Sequence, residues 1–224
     1  IFFDLNSYIT DDTLIADVGS TKLSSINDFK EIITNKHLLF VPSHPIAGLE
    51  KSGPDFGFAE LFDNRFCIIT PFNQNTKSID SITKFWKSIG MQVQTMEAEH
   101  HDRVLAMTSH IPQLIAYSIV STATELESQL KDEVLKYSAA GFRDFTRLAG
   151  SDPIMWRDIY SMNKEAVLEM LERFTKDLSI LQNAISNEDL SFLEKTFRST
   201  RSVRKIIEDL GQAGTFDPTE KNKK

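Results

Sequence analysis

A single cysteine, Cys67, stands among 224 residues. It can close no intrachain disulfide and build no thiolate metal site, and it suits a reducing compartment, the cytoplasm by default. The nine glycines never fall into G-x-G-x-x-G, so the sequence as it stands holds no pyrophosphate cradle of the dinucleotide type. Gly48-Leu49-Glu50-Lys51-Ser52-Gly53 has the outer spacing of a phosphate loop, but Pro54 and Asp55 stand where that motif needs Lys and Ser or Thr. No apolar run reaches the ~18 residues of a membrane span. Basic residues are the minority, 25 against 32 acidic for a net charge of -7, so the protein's own field opposes a phosphate backbone and nucleic acid is not an expected partner. The chain opens on Ile1-Phe2-Phe3 without Met or a charged leader, which reads as numbering that starts inside a longer protein.

What is present is ordinary globular material, 41% hydrophobic and 25% charged, enough for one substantial core or two modest ones. Thr13 to Val18 reads as a short buried strand, and after the Gly19-Ser20-Thr21-Lys22 turn Ser24 or Ser25 can cap a helix through Ile33. A second apolar run, His37 to Val41, ends in the loop Pro42-Ser43-His44-Pro45. A third, Arg65 to Thr70, precedes a helix capped by Ser78 and closed by Gly90, and Met91 to Met96 returns as an edge strand. Strands alternating with helices imply a mostly parallel α/β sheet, whose ligands sit at the carboxyl ends of the strands, here the Gly19-Ser20 turn and the Ser43-His44 loop.

From Glu97 onward the pattern turns helical. Arg103 to Leu126 is apolar around most of a helix circumference, as in the interior of a bundle or dimer, and Pro112 should disturb it. Asn163 can cap a helix with a heptad-like stripe from Val167 to Ile185, and Ser186 or Asn187 can open another that stops at Gly211. The expected organisation is thus α/β over 1–97, all-α over 98–211, and a disordered tail over 212–224.

His44 is the leading candidate for chemistry. Flanked by prolines at the end of a strand, it has an ordinary pKa of ~6.5 that suits a proton acceptor. Arg147 is an anion-site candidate, because its fork meets a carboxylate through two parallel hydrogen bonds. Thr108, Ser109, His110 and Gln113 are polar groups inside an apolar helix and need partners there. The adjacent His100 and His101 point about 100° apart on a helix, which argues against a metal site. A hydrolase using His44 with Ser20 or Ser43 lacks a nucleophile elbow and a triad order.

Several segments, Asp17-Val18-Gly19-Ser20-Thr21-Lys22, His44-Pro45-Ile46-Ala47-Gly48, His101-Asp102, Ser109-His110-Ile111-Pro112, Gly141 through Arg147 and Asp152 through Asp158, stand in an order that resembles the prephenate/arogenate (cyclohexadienyl) dehydrogenases of tyrosine biosynthesis. The resemblance runs from Asp17 to about Arg204. It implies the later part of a nicotinamide-binding Rossmann domain followed by a helical domain that dimerises and binds substrate. It also implies oxidative decarboxylation with NAD or NADP as hydride acceptor. By motif, His44 would be the general base, Ser20 would hydrogen-bond the same hydroxyl near the nicotinamide alongside Gly19, Arg147 would hold the ring carboxylate, and Glu50, Asp144 and Trp156 would gate or line the cleft.

Leu49 stands where such dehydrogenases usually have threonine. Gln113 replaces a histidine and could accommodate a keto acid or an amino acid side chain. Such dehydrogenases also carry a first strand and Gly-rich turn before the point matching Ile1, so the 224 residues alone are expected to turn over negligibly. The alternative reading is a catalytically silent dimerising or ligand-binding helical module.

Overall fold

The computed structural model describes residues 4, 8, 13–32, 39–48, 53–72, 75–126 and 128–209. They belong to two compact units, Ile1–Met170 and Leu171–Lys224. The first unit opens with β1 (Leu14–Ile15), α1 (Leu23–Ile32) and β2 (Leu39–Phe40). β1 and β2 pair in parallel, with Leu14 opposite Leu39. β1 is shorter than Thr13–Val18, and Val18 is 66% exposed rather than buried, because the chain leaves the sheet where the Asp17 carboxylate accepts the Ser43 N–H. Phe29 of α1 stacks on Phe40 at 4.6 Å, and with Ile26 they form one apolar cluster.

The second sheet is built from β3 (Ser43–Pro45), β4 (Phe66–Ile69), α2 (Thr76–Ser88) and β5 (Gln92–Thr95), with strand order β3-β4-β5. β4 and β5 run parallel, as the alternation of elements predicts, but β3 is antiparallel to β4, with His44 opposite Ile68. The sequence places His44 in a loop. A strand flanked by prolines is possible because β3 is an edge, where a missing N–H breaks no internal ladder. Val41, Cys67, Ile69, Ile82, Trp86 and Met91 make the core beneath this sheet. Burial of Ile82 and Trp86 from one face of α2 stabilises by roughly 1.5 to 3 kcal/mol each.

Two caps differ from expectation. Ser24 and Ser25 lie inside α1, whose first amides are taken by Asp102. Asn75 rather than Ser78 caps α2, its Oδ1 accepting the Ser78 N–H at 3.1 Å. Gly90 does end that helix, at φ +94°, where a Cβ would approach Asp63 Oδ1 to 2.7 Å, so only glycine fits.

The helical part runs through α3 (Ala98–Leu105), a π turn (Ala106–His110) and α4 (Ile111–Thr124), a continuous helix of 27 residues. By length and composition it could cross a membrane, which the search for apolar runs missed. Its buried His101, Asp102, His110 and Gln113 are all hydrogen-bonded, which makes it the core helix of this unit. It is not apolar-buried all round, since Met107 and Ile119 are 51% and 40% exposed. The disturbance expected at Pro112 takes the form of the π turn just before it, where the Ile111 N–H reaches back to the Ala106 carbonyl.

Next come α5 (Ser128–Lys136), α6 (Ala140–Thr146), a 3₁₀ turn (Arg147–Gly150), α7 (Pro153–Met162), capped by the Asp152 carboxylate, and α8 (Lys164–Ser186). The second unit holds the remainder of α8 and α9 (Leu190–Asp209). α8 runs through Ser186, so Ser186 and Asn187 do not open the next helix. Glu188 turns the chain at φ 53°, and Asp189 caps α9 by accepting the Phe192 N–H at 3.0 Å. The expected stripe from Val167 to Ile185 is exposed only in part, with Leu178 at 53% and Ile185 at 64% but Val167 at 5%, and on α9 Phe197 and Val203 are each 55% exposed. Gly211 and residues 212–224 lie outside the described residues.

Candidate active site

The site is assembled by one buried carboxylate. Asp102, on α3, is 4% exposed and accepts the backbone N–H groups of Lys22 (2.8 Å) and Leu23 (2.9 Å) at the start of α1. A carboxylate there is favoured by the unsatisfied amides and the positive end of the helix dipole. The same carboxylate meets His101 Nδ1 at 2.7 Å, and His101 Nε2 meets His44 Nδ1 at 2.8 Å. His101 is fully buried and His44 is 9% exposed.

The donors and acceptors of this chain fix its protons. A carboxylate only accepts, so His101 Nδ1 donates. With that single proton on His101, its Nε2 is an acceptor and His44 Nδ1 donates to it. His44 Nε2 is left as a lone pair, with the far end of the chain held by Asp102. Burial, with His101, Lys22 and His110 adding to it, pushes His44 down from 6.5 to about 3. The imidazole therefore stays neutral to lower pH than the ordinary value expected from sequence.

The π turn sets a second histidine beside this chain. An i→i+5 bond takes one extra residue into the turn, which advances the register so that His110 rather than Ser109 comes under Asp102. Asn163 Nδ2 donates to the Asp102 carbonyl at 2.8 Å and lies 3.1 Å from His110 Nδ1. His110 Nδ1 is thus an acceptor, and its proton sits on Nε2. Asn163 precedes α8 as expected, but its side chain serves the Asp102 carbonyl and His110 rather than a helix end. Trp156 packs edge-on against His110 at 5.9 Å, and its Nε1 is buried without a hydrogen-bond partner among the described residues.

Of the residues nominated from sequence, His44 is at the centre and the Gly19-Ser20 turn is tied to it through Asp17 and Lys22, which bind Ser43. Gln113 is 2% exposed and donates through Nε2 to the Leu148 carbonyl at 2.7 Å, next to Arg147. Arg147 and Asp144 are exposed, on the 3₁₀ turn and on α6. Trp156 is buried near His110, and Glu50 lies outside the described residues. Sequence reasoning assigned no site role to His101, Asp102 or Asn163. A His-Asp pair inside an apolar helix was the available signal, and it entered only as a metal candidate and as one of the family-like segments. Among the described residues no group of His, Cys, Asp and Glu could hold a metal ion.

Two buried neutral histidines carry a stability cost in acid. His44 and His110 are pushed down to about 3 and about 4, each mainly by burial, whereas in the unfolded chain both titrate near ~6.5. Below that value the unfolded state gains protons that the folded state refuses. Their stabilisation is therefore complete above ~6.5 and falls toward pH 4, by up to about 2.7 kcal/mol per pH unit. Thermal unfolding at pH 7 and pH 5 checks this, with His44→Asn expected to shallow the decline and an equal decline in that variant contradicting it.

Residues 2–95 match the model for the prephenate dehydrogenase nucleotide-binding domain, and residues 97–199 match that for the prephenate dehydrogenase dimerization domain. The chain belongs to the prephenate dehydrogenase family. A cyclohexadienyl dehydrogenase of Zymomonas mobilis is 41% identical over 86% of this chain, and a prephenate dehydrogenase of Bacillus subtilis is 33% identical over 89%. The chain spans 66% and 53% of the length of these two family members. The Aquifex aeolicus prephenate dehydrogenase in complex with hydroxyphenyl propionate and NAD+ superposes with a TM-score of 0.84 at 34% identity, covering 92% of this chain and 71% of that one. A Synechocystis arogenate dehydrogenase shares the family fold, with a TM-score of 0.77 at 21% identity over 91% of this chain and 73% of that one.

Proposed function

We propose that the full-length protein oxidatively decarboxylates prephenate or arogenate in tyrosine biosynthesis, with NAD+ or NADP+ as acceptor. The observation that carries this reading is the His44, His101 and Asp102 chain, which leaves His44 Nε2 as a buried proton acceptor. His44 takes the proton of the ring hydroxyl. A lone imidazolium in this site is disfavoured, but His44 can pass its Nδ1 proton to His101 Nε2, which sets the positive charge against Asp102. The hydroxyl carbon becomes a carbonyl centre by giving up its hydrogen as hydride to the acceptor, the ring carboxylate leaves as CO2, and its bonding electrons aromatise the ring to a phenolate that takes the proton back.

The residues present fit a nicotinamide. A Cβ at Gly19 would come within 3.1 Å of Asp17 Oδ2, so the turn is held bare of side chain at the carboxyl end of β1, where such sheets bind ligands. Ser20 beside it is half-buried, and no other described residue bonds its hydroxyl. Gly19 and Ser20 would hold the ring, which when bound supplies the hydride acceptor. Ser20 also orients the substrate hydroxyl toward His44. Arg147 binds the ring carboxylate through its planar fork.

Gln113 faces the substrate side chain. With Nε2 committed to the Leu148 carbonyl, its Oε1 remains an acceptor, which suits the ammonium of arogenate better than the keto oxygen of prephenate. A second copy of the chain covers the apolar positions of α8 and α9 in a homodimer. The setting is cytoplasmic, in keeping with the buried free thiol of Cys67. Steady formation of reduced nicotinamide by the full-length protein tests the reading, with arogenate expected to be the faster substrate. Absence of turnover with both substrates would refute it.

A further inference from the structure

Beneath His44 lies a buried ion pair that the chemistry above does not use. Lys22 is fully buried. Its ammonium pairs with the Asp17 carboxylate and donates to the Ser43 carbonyl at 2.7 Å. The other oxygen of Asp17 accepts the Ser43 N–H at 2.8 Å, and Ser25 Oγ donates to Asp17 at 3.0 Å. The two charges thus grip Ser43 by its N–H and its C=O, one residue before His44.

A fully buried ammonium is an expensive way to hold a strand edge, since desolvation pulls the Lys22 pKa down despite Asp17 beside it. The pair holds both polar groups of the Ser43 peptide at once, which a single neutral donor would not. The titratable groups around His44 are His101 and Asp102 on α3, His110 on the π turn, Lys22 and Asp17 on the turn after β1, and Cys67 on β4.

We propose that Lys22, held by Asp17, is a positioning residue that fixes the Ser43 peptide against the Gly19-Ser20 turn and so sets where the His44 imidazole stands. The hydrogen bond to the Ser43 carbonyl sets where His44 enters β3. The proposal rests on His44 being the base for its catalytic meaning, but its effect on His44 is measurable without turnover.

Two variants of the full-length protein separate the roles. Lys22→Gln keeps a donor for Ser43 and removes the charge, whereas Lys22→Met removes both. At pH 7 the Ser43 amide and His44 ring 15N resonances are expected to move in Lys22→Met and to stay near wild type in Lys22→Gln. kcat should fall at least tenfold further in Lys22→Met than in Lys22→Gln, with KM for the nicotinamide nucleotide changed less than twofold. If Lys22→Met does not fold, Asp17→Asn, which loosens the same grip, takes its place. Unmoved resonances in the folded variant overturn the proposal, as does a loss of kcat that merely tracks the folded fraction. Loss of the proposed reaction altogether would leave the resonance shifts intact, so the two readings fail separately.

Discussion

Replacing His44 with alanine is expected to lower kcat by about 10² to 10⁴ while leaving nucleotide affinity within a few-fold, because a positioned general base contributes that much to a proton-coupled step. The loss should fall on kcat, since His44 Nε2 is called on only as the hydroxyl proton moves, and a contact made mainly in the transition state leaves ground-state binding alone. The imidazole is buried, so His44→Ala also opens a small cavity, and a thermal melt must show that the variant is folded at the assay temperature. His44→Asn, which retains a donor toward His101, serves as the second variant. Reduced nicotinamide formation at a rate within tenfold of wild type, in folded protein, would remove His44 from the chemistry.

The second large effect is expected from Asp102→Asn, a change of one atom. The carboxylate forces His101 to donate from Nδ1, and His101 in turn forces His44 to donate from Nδ1. An amide that turns its NH2 to His101 Nδ1 instead gives up the Lys22 N–H that the same oxygen accepts. Both imidazoles then flip tautomer, and His44 Nε2 carries a hydrogen where the mechanism needs a lone pair. In serine protease triads the same carboxylate-to-amide change behind a histidine costs about 10⁴ in kcat. A loss of at least 10² is expected here, allowing for the longer chain. Asp102 also caps α1, so about 1 kcal/mol of stability should go with it. Steady-state kinetics beside thermal unfolding separate the two, and a loss of stability without a loss of kcat would contradict the tautomer argument.

Much of this site was legible because its chemistry is local in sequence. His44 between two prolines, the Gly19-Ser20 turn at a strand end, and the ordered run of family-like segments could be read directly. So could β4, β5 and the glycine that ends α2, each signalled by periodicity or by a required positive φ. What could not be read was long-range. The cap of α1 comes from Asp102, 80 positions from Lys22, and no local pattern announces a cap from another element. Asn163 has the composition of a helix cap and stands at a helix start, yet its amide is spent on Asp102 and His110. The antiparallel course of β3 was hidden because the prolines that permit it at an edge also read as loop. The helix from Ala98 to Thr124 looked buried all round because apolar faces that wait for a partner carry the same pattern as faces covered within the chain.

The most direct measurement is the protonation pattern of His44 itself, obtained from 15N shifts of histidine-labelled full-length protein at neutral pH, in wild type and in Asp102→Asn. Wild type should show a neutral ring with hydrogen on Nδ1 and a bare Nε2, and the variant should show the hydrogen on Nε2. A wild-type ring that carries its hydrogen on Nε2, or is already an imidazolium at pH 7, would contradict the claim that Asp102 prepares His44 to accept a proton.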